Sequence, residues 1–187
     1  MKNFLKKSSS TPLVIIIVIS FNILAFAYFF EYLGNYRADK GEVSISQENV
    51  QLKEEIESLT EGYPIKSMAR HIAMQDEKVA AFVVSIAKKE SNWGKRSPKL
   101  DGKDCYNYWG FRQKRERMGT GGHTCFDSPG EAVSVVSRRI EELINQEIDN
   151  PSRMVVWKCG FSCESHNPES VERWIRDVDY YYKKMIN

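Results

Sequence analysis

The sequence predicts a mainly α-helical domain with one loop or β-hairpin insertion, preceded by a membrane-spanning helix and a helical stalk. Three observations carry that prediction. Beyond residue 63, four stretches place apolar residues at helical spacing, most of them behind a start signal. Between the second and third of these, residues 92–127 hold six of the chain's 11 glycines, together with Pro98. Near the N-terminus, Leu13 to Phe30 runs for 18 residues without a charge.

The uncharged run reaches the length of a bilayer-crossing helix, and Tyr32 and Leu33 extend it. A secretory signal is the rival reading, because Ala25-Phe26-Ala27 has the form of a cleavage site. Tyr28, Phe29 and Phe30 continue the apolar run past that site, which favours an uncleaved anchor. Lys2, Lys6 and Lys7 precede the run, with no acid among residues 1–30. Residues 31–62 carry three bases against eight acids. That asymmetry leaves residues 1–12 as a cytoplasmic tail, 13–33 as the anchor and everything after outside the cytoplasm. Residues 63–187 carry 21 bases and 17 acids, and the whole chain is +2. No basic run is long enough to suggest a nucleic-acid partner.

Residues 34–62 read as a stalk. Ile45, Asn49, Leu52, Ile56, Leu59 and Tyr63 alternate spacings of four and three, a short coiled-coil seam. The seam allows a weak homodimer or a helix packed on its own domain. From Tyr63 the domain begins, with Pro64 opening a helical face of Ile65, Met68, Ala69 and Ile72. Asp76 caps the next helix, which runs to about Ser91. Residues 92–127 form loop with a short hairpin, carrying aromatics at 106, 108, 109 and 111. Ser128-Pro129-Gly130-Glu131 offers an N-cap, a proline at N1 and a capping-box glutamate for a helix to about Glu147. Met154 to Trp157 is a short apolar segment. Asn167-Pro168 opens a last helix with Val171, Trp174, Ile175, Val178 and Tyr182 inward.

All four cysteines follow the anchor, where an oxidising compartment favours disulfides. Cys105–Cys125 and Cys159–Cys163 are the expected pairs, because each closes a loop already bounded by helices. Zinc ligation by Cys159, Cys163 and His166, or by His123 and Cys125, is the alternative, although the spacings match no closed zinc motif well. No metal and no cofactor is expected.

The chemistry concentrates at Glu90. Val79, Val83 and Ile86 form an apolar helical stripe with Phe82 beside it, and Glu90 falls on the same face one turn later. Burial and the negative end of the helix dipole both disfavour an ionised carboxylate there. A glutamate that keeps its proton is what a glycosidase needs to protonate a leaving oxygen. The aromatic loop that follows suits the faces of sugars.

Glu90-Ser91-Asn92-Trp93-Gly94-Lys95, then Asn107-Tyr108-Trp109-Gly110-Phe111-Arg112, then Cys125-Phe126-Asp127-Ser128 resemble the ordered motifs of bacterial glucosaminidases. These are peptidoglycan hydrolases of the lysozyme-like superfamily, including the flagellar type. The likeness spans roughly Val79 to Leu143. More distantly, the chain is similar to soluble lytic transglycosylases, which share the helix-end Glu-Ser. Their GLMQ element is replaced here by Tyr108-Trp109-Gly110-Phe111. The resemblance implies a lysozyme-like domain over residues 63–187, with peptidoglycan or a related glycan as substrate. It implies Glu90 as the general acid, Ser91 fixing the loop after it, and Trp93 with Asn107, Tyr108 and Trp109 at the substrate groove. The bland alternative for the three aromatics is that they form the core beneath the loop. The disulfide Cys105–Cys125 would brace the far wall of the groove.

A second acid is less evident. Asp101, Asp104, Glu116 and Asp127 are the candidates, and Glu116 lies where glucosaminidase-like enzymes tend to carry a distal acid. Its neighbours Arg115 and Arg117 equally suit a solvated charge run. A lytic transglycosylase needs one acid only, because the substrate's own hydroxyl attacks. Two other classes of function remain open: a membrane-anchored domain that binds peptidoglycan without cutting it, and a stalked domain that binds proteins.

Overall fold

The structure is a computed structural model that describes residue 26 and residues 47–186. The chain divides into two units, Met1–Ser44 and Ile45–Asn187. The expected tail and anchor at 1–33 lie outside the described residues apart from Phe26. Among the described residues, no helix is long and apolar enough to cross a membrane.

The second unit is mainly helical. Its elements are α1 (Gln47–Leu59), a 3-10 turn (Pro64–Met68) leading into α2 (Ala69–Ile72), and α3 (Glu77–Ser91). After the insertion come α4 (Pro129–Ile144), a 3-10 turn (Arg153–Val155) leading into α5 (Val156–Cys159), and α6 (Pro168–Ile186). The expected stalk boundary at residue 62 moves. Ile56 of α1 is completely buried, and Leu52, Leu59 and Tyr63 pack half-buried on the same core. The seam residues from Leu52 onward therefore face the protein's own interior, and α1 is part of the domain.

The core is built around α3. The sequence shows one apolar stripe, but Ala80, Ala81, Val84, Ala87 and the small Ser85, bonded to Phe82 O, fill the remaining faces, so Val79 through Ala87 are all buried. A helix apolar all round has neighbours all round. α6 packs along it through Trp174, Val178, Tyr182 and Met185, with the Phe82 and Tyr182 rings 4.4 Å apart. α4 packs through Ala132, Val133, Val136, Ile140 and Leu143. The caps form as the sequence predicts: Asp76 accepts the Lys78 N–H at 2.9 Å, and Ser128 Oγ accepts the Glu131 N–H at 3.1 Å. Glu131 also accepts the Asp127 N–H at 2.7 Å and pairs with Arg115. α4 ends at Ile144, three residues before the expected Glu147.

The insertion holds two small antiparallel sheets where the sequence predicts one hairpin. β1 (Lys99–Leu100) pairs with β2 (Lys103–Asp104), Lys99 opposite Asp104. β3 (Met118–Gly119) pairs with β4 (His123–Thr124), Met118 opposite Thr124. Both expected disulfides are present, Cys105–Cys125 and Cys159–Cys163. They use all three thiols of the alternative zinc sets.

Candidate active site

α3 delivers Glu90 to the start of the insertion and then stops abruptly. Asn92, Trp93 and Gly94 take φ of 53°, 55° and 92°, three left-handed residues in succession. Asn92 N–H bonds Lys88 O, Trp93 N–H bonds Ala87 O and Arg96 N–H bonds Ser91 O, which gives partners to three carbonyls near the helix end. Ser91 Oγ donates to Ala87 O at 3.1 Å and accepts the Gly94 N–H at 2.8 Å, which fastens the reversal. Gly94 is required on two counts. Its φ favours glycine, and a Cβ there would lie 2.8 Å from the Tyr108 ring.

The left-handed tryptophan is held by what it touches. Trp93 is buried, donates its indole N–H to Val84 O at 2.9 Å, and meets Tyr63 and Tyr181 edge to face. The Lys88 ammonium lies 4.2 Å from its ring centroid.

Glu90 itself is half-buried. Its Oε1 accepts the indole N–H of Trp174 at 2.6 Å. Trp174 is 1% exposed and comes from α6, 84 residues away in sequence. An indole N–H can only donate, so Oε1 can only accept. The bond leaves Oε2 as the carboxyl oxygen that Trp174 does not hold. That oxygen faces Gly110: a Cβ at position 110 would lie 3.4 Å from it. Gly110 has φ of 69° and places no side chain against Oε2.

The backbone at Gly110 is positioned by three side chains. Asn107 donates to Phe111 O and Thr124 O, both at 2.8 Å, and accepts the Phe111 N–H at 3.0 Å. Trp109 is fully buried and donates to Val83 O at 2.7 Å. Trp157 of α5 donates to Trp109 O at 2.9 Å. Tyr108 is buried, and its hydroxyl donates to Asp104 Oδ2 at 3.3 Å. Burial, with the neighbouring Asp104 and Tyr106 adding to it, pushes that hydroxyl's pKa well above the ordinary tyrosine value.

The expected groove lining is thus corrected. Ser91, Trp93, Asn107, Tyr108 and Trp109 are all at most 3% exposed, and each has its polar side-chain atoms bonded inside the protein. They are the support under the site, because the aromatic loop folds Tyr108 and Trp109 inward, with Trp109 bonded to α3. The exposed face is a pocket of about 240 Å³ that starts at Gly110 and continues along Phe111, Trp157 and Phe161. Glu90 does not line it; Gly110 lies between the carboxylate and the pocket.

The candidate second acids are scattered. Asp104 accepts from Ser97, Tyr106 and Tyr108, and Asp127 pairs with Arg117. Asp101 is exposed at the β1–β2 turn with φ of 51°. Glu116 is exposed just before β3, and among the described residues nothing pairs with it. Its flanking Arg115 and Arg117 turn to Glu131 and Asp127 instead.

Sequence reasoning missed Trp174 and Trp157 as site residues. Trp174 stands on the inner stripe of its helix, where spacing cannot separate a core ring from a donor to a carboxylate. Trp157 belongs to a four-residue helix too short for periodicity to read. Comparison with known proteins finds no family model, no curated protein and no solved structure that matches this chain.

Proposed function

We propose that this protein cleaves the glycan strands of peptidoglycan, with Glu90 as the general acid. The observation that carries the reading is the asymmetric carboxyl of Glu90: one oxygen held by Trp174, the other facing Gly110, which has no side chain and borders an aromatic pocket. In this reading the domain is lysozyme-like and acts outside the cytoplasm from an anchor over residues 13–33. A proton on Oε2 passes to the glycosidic oxygen as the bond to the anomeric carbon breaks. A hydroxyl of the same sugar then attacks that carbon and returns its proton to Glu90. This single-acid route, a lytic transglycosylase reaction, needs Glu90 alone; Asp104 and Asp127 are bonded elsewhere, which leaves Glu116 and Asp101 as the acids of a two-acid hydrolysis.

The test is to digest purified peptidoglycan with the full chain, disulfides formed, and weigh the products. Native protein releases muropeptides with anhydro ends, and Glu90→Gln slows release by about a hundredfold or more. Reducing ends at N-acetylglucosamine, with Glu116→Gln equally inactive, would replace the single-acid route by the glucosaminidase one. Trp174→Phe keeps a ring in the core but removes the donor, so kcat falls about tenfold with KM little changed. Binding to the wall with no release by native protein would sink the enzyme claim and leave a non-catalytic glycan-binding domain.

A further inference from the structure

The pocket beside Gly110 has a composition that glycan cleavage alone does not explain. Phe111 and Trp157 line one stretch of it, with centroids 5.9 Å apart and planes at 31°. Phe161, on the loop closed by Cys159–Cys163, stands 83% exposed at its rim. A large ring held out in water on a covalently closed loop marks a contact surface more than a packing element. Among the residues lining the pocket, the charged ones are Arg112 and Arg139, and none is acidic.

The arginines are held in place and keep donors to offer. Arg112 donates to Gly121 O at 2.6 Å and lies 3.3 Å from His123 Nε2, which ties it to the β3–β4 hairpin. Arg139 is half-buried on α4 and pairs with Glu142 at 2.9 Å. A guanidinium carries five N–H donors in a fixed fork that matches a carboxylate. Neither arginine uses all of them on the contacts described. The pocket therefore combines apolar faces for the C–H side of a sugar ring with two forks for an anion. At about 240 Å³ it fits one sugar residue with a short arm and is below the size of most drug-like sites.

We propose that this pocket binds an N-acetylated amino sugar whose lactyl or peptide arm ends in a carboxylate. Ring stacking falls to Phe111, Trp157 and Phe161, and carboxylate capture to Arg112 and Arg139. The choice of substrate class rests on the peptidoglycan reading above. It makes the protein select acidic, peptide-bearing glycan over neutral chitin-type glycan. A neutral sugar would engage the rings alone and leave both guanidinium groups to water.

The test uses the full chain carrying Glu90→Gln, so that bound glycan is not consumed. Its affinity is measured by calorimetry for N-acetylglucosaminyl-N-acetylmuramyl dipeptide and for diacetylchitobiose. The acidic disaccharide binds about tenfold tighter or more, and added salt narrows the gap. Arg112→Gln with Arg139→Gln brings it down to the neutral level, and Phe161→Ser, at an exposed site that leaves the fold intact, weakens both sugars. Equal affinity for the two sugars, no binding of either, or a preference that survives the double arginine change overturns the proposal. If the preference holds while native protein releases no muropeptides, the catalytic reading of Glu90 fails and the pocket's selectivity stands.

Discussion

The two halves of the site are built by different physics. The helical half, α3 with α4 and α6, is held by apolar burial spread over many side chains, from Val79 to Ala87 and their partners. The insertion over residues 92–127 is held by a few polar side chains that each do several things at once. Asn107 makes three hydrogen bonds, Asp104 accepts three, Ser91 makes two, and Cys105–Cys125 closes the loop. Burial of apolar surface is non-directional and tolerates small shifts. Directional bonds fix a backbone path, and a backbone path is what leaves Gly110 facing Glu90. The helical half supplies the carboxylate, and the insertion supplies the glycine that faces it.

The contrast can be broken at its strongest point first. Phe82→Ala removes a fully buried ring between α3 and α6 and costs about 3–5 kcal/mol, read from the denaturant midpoint. A much smaller loss would mean that the core is looser than its burial implies. In the insertion, Cys105→Ser with Cys125→Ser opens a loop of sequence separation 20 and costs about 3 kcal/mol. The same change at Cys159 and Cys163, separated by 4, costs less because the loop is shorter. Equal costs would remove loop closure as the reason the insertion holds.

Asn107→Ala sharpens the comparison at one residue. It strands two carbonyls and an N–H, and costs about 2 kcal/mol, with faster hydrogen exchange at Phe111 and Thr124 than in α3. Slowed exchange, or a loss confined to α3, would show that the two halves are not separable. The smallest effect is at Tyr108 and depends on pH. Its hydroxyl holds its proton more tightly folded than unfolded, mainly through burial. Its contribution is therefore complete below the ordinary tyrosine value near pH 10 and is lost as pH rises above it. Tyr108→Phe lowers stability by about 1 kcal/mol at neutral pH and flattens the alkaline fall. An equally steep fall in the variant would assign it to another group.

The same contrast explains what the sequence discloses. α3, α4 and α6 are legible because burial repeats at helical spacing and because Asp76 and Ser128 mark two of their starts. Glu90 is legible because it continues the buried face of α3. The inward turn of Trp93, Tyr108 and Trp109 is not legible, since an aromatic in a glycine-rich loop stacks on a ligand or on the core with the same sequence. α1 reads as a stalk because its seam has coiled-coil spacing, and a core offers that seam the same apolar surface as a partner helix would. Trp174 is identified as a core residue correctly, while its N–H, which spacing cannot report, is what reaches the acid.

That last bond has a consequence in the timing of synthesis. Glu90 leaves the ribosome 84 residues before Trp174. Until α6 has been made and docked along α3, the carboxyl has no indole donor to hold one of its oxygens. The helix made last completes a contact begun early, so a chain still being translated carries the Glu90 carboxyl without the donor that orients it.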